Sequence, residues 1–473
     1  MFAALGRFWC LPVILWRRAA FVLPALFGLG WAGALAQEAG SEAAVEPPPE
    51  SAPRSSVLYL EPAVAITRQL DFALPPPKLP EDPALDPDFE GRMRSISRFN
   101  EAIADAETVS GAWDTGLVEQ LSTLGSLQQQ QGNYPGAIET HERAIHVQRI
   151  HGGLHTIDQA PLVRRMIESH VAMRDWAEAD TYHNYLFFIQ QKTYGNSDPR
   201  LIPALGELAN WHIHAFDLGH GQSLAVRLSS AQMLFATAAR LVDMHFGAGD
   251  PRYVEYQRGL ARSAWLVAQN QDLLRELDRA QFRAPQEVLR DTIMIDVSLP
   301  IRPVGFRAGE KALKNIIEHY REREDGEQLA EATAQLADWY LLFSRRGQAR
   351  EFYRQAWEAL AGGEAAAEAR QRLFGQVRQI PVYGTDGNGW MLDNFGFAPD
   401  SGETKYDYID VSFDVTQWGE VRNIETLSEQ SPDTESQHGW VRRNIRDSMF
   451  RPMLAGGEIV RSNDNAFRYR YWY

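Results

Sequence analysis

Hydrophobic positions change their period along this chain. From near Met93 they recur every three to four residues, the interval of helices buried on one side, and this continues to about residue 361. Beyond residue 405 they alternate instead. Ile409, Val411, Phe413 and Val415 take one side of a run whose other side is Asp410, Ser412 and Asp414, which predicts a half-buried strand over 408–416. Gly419 then turns the chain into a second strand, 421–427. In 437–450, Val441, Ile445 and Met449 fall four apart, predicting a helix with a buried stripe, Arg442, Arg443 and Arg446 on wetter faces, and Pro452 as its stop. Gly456 and Gly457 turn into a last strand, where Phe467, Tyr469, Tyr471 and Tyr473 alternate with Arg468, Arg470 and Trp472.

The helical part repeats itself. Leu124, Met166 and Leu208 are 42 residues apart, as are Tyr134 and Trp176, and Ala137 and Ala179. Gly195-Asp198-Pro199 returns 52 residues later as Gly247-Asp250-Pro251, so one unit carries ten extra residues, expected in its mid-repeat loop at 217–226. These landmarks have mechanical reasons. Asp before Pro places an oxygen acceptor at a helix N-cap and a residue lacking N–H at the first helical position. Glycine ends the preceding helix in a left-handed conformation, and the small alanines let helices approach closely. The stretch 288–306 breaks the pattern with strand-like alternation and two prolines, and reads as a loop between units.

The repeated residues resemble a known pattern. Leu124 and Gly125 are followed by Ala137 and Ala144; Leu336 and Ala337 are followed by Tyr340, Ala349, Tyr353 and Ala356. This resembles the tetratricopeptide repeat, in a long-helix variant of about five degenerate units covering roughly 93–280 and 308–361. In the C-terminal part, Val411, Phe413, Val415, Gly419, Val421, Val441, Phe450, Arg451, Pro452 and Gly457 resemble the TonB C-terminal domain over 405–473. Together the resemblances imply a mainly α fold: a tetratricopeptide-type α-solenoid of helical hairpins, then a small α+β domain of antiparallel sheet plus one helix. The TonB resemblance further implies a sheet that pairs with a short segment of an outer-membrane transporter. The long proline spacer of an energy transducer is absent, and the histidine of its membrane helix has no counterpart.

The N-terminus is different material. Arg7, Arg17 and Arg18 are the only charges in residues 1–36, which are otherwise largely apolar and end in Ala34-Leu35-Ala36. That describes a secretory signal peptide cleaved before Gln37, with an uncleaved membrane anchor as the rival reading. Cleavage removes three arginines and no acids, taking the formal charge from −15 to −18, and removes Cys10, the only cysteine. A cysteine-free mature chain has no disulfide framework and no thiol chemistry, and suits an oxidising compartment. The acidic balance argues against nucleic acid and anionic membrane as partners. Residues 37–92 are proline-rich, with 57–66 a strand-like or docking segment inside them; 93–361 are the repeats, 362–404 a linker or loop, and 405–473 the last domain.

Candidate chemistry is sparse. His141, His146 and His151 step by five, so they do not share one helix face, and His155 lies beyond them. His212 and His214 diverge at a spacing of two. In 386–390 a calcium-loop reading places Trp390 where an oxygen is required. No catalytic residue, cofactor, metal site or specific partner-binding residue is therefore assigned. The expectation is a non-enzymatic periplasmic interaction protein with a protein or peptide partner in the cell envelope, outer-membrane proteins included. The alternative is a membrane-anchored transducer coupled to outer-membrane transport. Arg451 stays open between a surface charge and a partner contact.

Overall fold

In the computed structural model, the residues described are 59–60, 64–65, 86–279, 281, 304–360, 364–380, 406–428 and 434–472. The signal segment, the 386–390 loop and most of 288–306 lie outside them. All belong to one compact unit, Ser55–Tyr473.

Helices dominate. In chain order they are α1 (Phe89–Ser110), α2 (Leu117–Gln130), α3 (Tyr134–Gly152), α4 (Ala160–Ala172), α5 (Trp176–Tyr194), α6 (Ile202–Asp217), α7 (Leu224–Phe246), α8 (Pro251–Gln269), α9 (Phe306–Glu322), α10 (Gly326–Leu342), α11 (Arg346–Ala359) and α12 (Glu364–Phe374). Each packs mainly against its chain neighbours, so α2–α3, α4–α5, α6–α7, α8–α9 and α10–α11 form a file of stacked hairpins. Leu124, Met166 and Leu208 are buried at matching points of that file, as are Ala137 and Ala179. The ten extra residues are not confined to a loop. α6 has 16 residues where α4 has 13, α7 has 23 where α5 has 19, and the turn between them is longer as well.

Glycine marks the long helices more regularly than the alanines do. α1, α3, α5 and α7 end at Gly111, Gly153, Gly195 and Gly247, with φ of 88°, 101°, 81° and 82°. Their ψ values, 161°, 165°, 170° and 160°, are extended rather than left-handed helical. Only glycine sits comfortably there. The chain leaves each helix straight and caps the next element, with Asp198 accepting from the Arg200 amide and Asp250 from the Arg252 amide, both at 2.9 Å.

The C-terminal part is built on strands. They are β3 (Arg378–Ile380), β4 (Tyr406–Val415), β5 (Val421–Thr426), then helix α13 (Glu435–Asp447), β6 (Met449–Arg451), β7 (Met453–Ala455), β8 (Glu458–Val460) and β9 (Ser462–Trp472). Ile409, Val411, Phe413 and Val415 are buried with Phe467, Tyr469 and Tyr471 beneath α13, which contributes Val441 and Ile445. Three expectations are corrected. The helix stops at Asp447, not at Pro452, and Met449–Arg451 is a short strand paired with β3. Gly456 and Gly457, both at positive φ, make the two-residue turn of the β7–β8 hairpin, one element before the last strand. The stretch read as a linker, 362–404, holds α12 and β3. Two strands also precede the helices: β1 (Tyr59–Leu60) and β2 (Val64–Ala65), inside the proline-rich segment, both pairing with β9.

Candidate functional site

The short strand ladders β3–β6 and β7–β8 and the helical file share a core. Leu454, Ile380 and Phe374 are buried in the same apolar cluster as Trp339, Tyr353 and Ala356 of the last hairpin, with Trp418, Met449 and Ile459 packed on it. A helical file ends in an exposed apolar face that needs a cap, and the C-terminal strands supply it. At the centre stands Arg451, with none of its surface exposed. Its Nη2 donates to Asp338 Oδ2 at 2.6 Å, its Nε to Asp338 Oδ1 at 3.0 Å, and its Nη1 to Glu331 Oε2 at 3.1 Å. Tyr353 Oη donates to Asp338 Oδ1 at 2.6 Å. Burial works against the Arg451 charge, but Asp338 and Glu331 outweigh it and hold its pKa well above the ordinary value. Burial likewise opposes the Glu331 charge, and Arg451 outweighs it to keep that carboxyl below its usual range. Arg451 is therefore neither a surface charge nor a contact for another molecule: it clamps the β3–β6 ladder to the helices. Arg346 to Glu420 at 2.9 Å and Arg350 to Glu458 at 2.6 Å form an exposed rim around it.

β3–β6 and β7–β8 are separate two-stranded ladders; the larger sheet has the strand order β1-β9-β4-β5, with β2 also on β9. β9 pairs with β4 from Tyr406↔Trp472 to Val415↔Ser462. Arg468 fixes this register by reaching both oxygens of Asp410, at 2.7 and 2.8 Å. The outer edge of β9 takes Tyr59↔Trp472, Leu60↔Tyr471, Val64↔Arg468 and Ala65↔Phe467, all antiparallel. A sheet edge is thus already extended by a strand from the opposite end of the sequence.

The helical file carries a cleft of about 390 Å³ between α7, α8 and α9. Its apolar lining includes Met233, Ala236 and Leu260, and its polar lining includes Asp243, Lys311 and Asn315. Gln232 braces one wall through the backbone of Val304, donating to its carbonyl at 2.9 Å and accepting from its amide at 2.8 Å.

The histidines serve packing. His141 is fully buried, and neither ring nitrogen has a hydrogen-bond partner. Its ring lies where a side chain at Gly125 would be. His146 meets the Trp113 ring edge-on at 5.0 Å, while His151 Nε2 lies 2.5 Å from the Trp113 carbonyl oxygen. His155 is edge-on to Phe188 at 5.1 Å, the same arrangement one 42-residue unit later. His212 lies 3.2 Å from Arg227 and His183 stacks on Trp211 at 4.3 Å. Asp180 closes this buried group, accepting from Trp211 Nε1 at 2.7 Å and Arg227 Nη1 at 2.6 Å. Sequence spacing offered no signal for it, because its members come from three helices. Among the described residues no cluster of three potential metal ligands occurs, and no helix is long and apolar enough to cross a membrane.

No protein-family model and no curated protein matches this chain. Solved structures match loosely. BtubC from P. vanneervenii is 13% identical over 60% of this chain and 93% of its own, with a TM-score of 0.34. A Podosopora anserina kinesin light chain with nearly identical TPR-like repeats is 18% identical over 52% of this chain and 96% of its own, with a TM-score of 0.29. The apo form of the quorum sensor NprR from B. thuringiensis is 14% identical over 58% of this chain and 85% of its own, with a TM-score of 0.19. Superpositions this loose say nothing about what this chain binds.

Proposed function

We propose that this chain is a non-enzymatic protein–protein interaction scaffold that works in the cell envelope, exported by its N-terminal signal. The helical file, which resembles tetratricopeptide repeats in sequence, offers its cleft to a client polypeptide. The capping sheet, which resembles the TonB C-terminal domain, offers a strand edge. The observation that carries this reading is the cleft between α7, α8 and α9: an apolar lining with polar groups beside it suits a peptide with alternating character. Binding of a labelled peptide panel to the 37–473 chain tests it. Asn315→Trp, which fills the cleft, is expected to weaken the best binder at least about tenfold, roughly the loss of one good contact. Unchanged binding of every peptide refutes the cleft as the client site.

The address has its own test. Mass spectrometry of the exported protein is expected to find Gln37 as the first residue. An intact Met1 start in the membrane fraction supports the anchored transducer, which the apolar run in residues 8–36 favours.

A further inference from the structure

The edge of β9 is prepared along more of its length than the described residues occupy. β9 has 11 residues and is held by β4 along its inner side. Phe467, Tyr469 and Tyr471 anchor it in the core, and the Arg468–Asp410 pair fixes its register. On the outer side, strand partners stand only opposite Phe467, Arg468, Tyr471 and Trp472; Ser462–Ala466 have none there among the described residues. The two pairing strands are two residues each, and their registers differ by one residue. Pro62 lies between them in sequence and has no amide hydrogen to donate. They are tied to α1 through residues 66–88, which contain six prolines.

We propose that Tyr59–Leu60 and Val64–Ala65 are a self-strand: a displaceable internal occupant of the β9 edge. The edge then fits an extended segment of another polypeptide, free of internal proline, adding antiparallel to β9. Such a segment forms an unbroken ladder where the self-strand forms two short ones. Backbone pairing supplies the attraction, so the demand on side-chain sequence is loose. Occupation by the self-strand also shields a long edge from indiscriminate pairing. The inference rests on the strand-adding half of the proposed function and is independent of the helical cleft.

The test uses the chain from residue 37 and a labelled synthetic peptide of residues 55–68 carrying Pro62→Ala, so that no proline interrupts it. Leu60→Pro with Val64→Pro removes the self-strand's ability to pair while leaving β9 intact. A tethered competitor acts at an effective concentration of order millimolar, so the doubly substituted chain is expected to bind the peptide about tenfold more tightly than the unsubstituted one. Equal binding by both chains overturns the self-strand while leaving the edge a strand acceptor. Binding by neither overturns both ideas. A second variant guards against misfolding of the first: Tyr59→Cys with Trp472→Cys joins positions that face each other across the ladder and leaves the Arg468–Asp410 pair in place. It is expected to cross-link on oxidation and to bind the peptide only after reduction. Failure to cross-link, or binding while cross-linked, counts against the proposal.

Discussion

At Arg451 a full charge is taken out of water, and only its neighbours offset the desolvation. Asp338 and Glu331 do so, and if the guanidinium is removed Asp338 is left with the Tyr353 hydroxyl and Glu331 with Gln335 and the more distant Arg378. Arg451→Met is therefore expected to destabilise the chain by roughly 3–5 kcal/mol. Adding Asp338→Asn and Glu331→Gln to that variant is expected to restore much of the loss. Urea midpoints of the single and triple variants check this, and equal midpoints contradict it. Gly125 sets a second constraint at this scale. Any Cβ there runs into the fully buried His141 ring. Gly125→Ala is expected to cost roughly 1–3 kcal/mol as an overpacked helix contact, read as a lowered thermal midpoint. Little of this was legible beforehand. Gly125 stood out as part of a repeat pattern, but its reason is the histidine that packs on it from the next helix.

At the scale of elements, turns separate residues that tolerate their conformation from residues that merely endure it. Gly153 has φ 101° with extended ψ, a region that costs other residues of order 1–3 kcal/mol. Gly153→Ala is expected to lose about that much. Ser344, between α10 and α11, sits at φ 59° without being glycine. It is exposed, so Ser344→Gly relieves left-handed strain of roughly 1–2 kcal/mol at the expense of a looser unfolded chain. A net gain of about 0.5–1 kcal/mol is expected by chemical denaturation; a loss shows that the turn is held by something other than its backbone. The strands of the cap were largely readable, since Ile409, Val411, Phe413 and Val415 keep the period of two that burial on one face requires. Met449–Arg451 was not. A three-residue strand is too short to show a period, and its partner Arg378–Ile380 lies some seventy residues away in the sequence.

At the scale of the whole molecule, four of the histidines buried in the helical file lose their affinity for a proton. Burial pushes His141 and His214 down to about 4 and His183 and His212 down to about 3. Each is neutral in the fold and protonates near 6.5 when unfolded. Their contribution is therefore complete above pH 6.5 and is lost as pH falls toward those values, by up to about 1.4 kcal/mol per pH unit for each group. Asp217, pushed up to about 6 by burial against the pull of Arg262, works in the opposite direction between its ordinary value and 6. Four groups against one predict a falling urea midpoint from pH 7.5 to pH 5; a constant or rising midpoint contradicts the balance. The shared core of cap and last hairpin makes a further prediction. A fragment of residues 376–473 lacks Asp338, Glu331 and the apolar wall of α10 and α11. It is expected to be unfolded or aggregated alone, as seen by circular dichroism and light scattering.

The sequence by itself determined the 42-residue unit and which side of β4 and β9 enters the core beneath α13. Those are consequences of local period, and period is written in neighbouring residues. Tertiary structure alone decided three matters. It made Arg451 a clamp rather than a docking charge, brought Asp180, His212 and Arg227 together from successive helices, and set Tyr59–Leu60 and Val64–Ala65 beside the last strand. Each depends on which distant segment arrives as a neighbour, and a carboxylate, a ring or a backbone edge far along the chain leaves no mark on the local pattern.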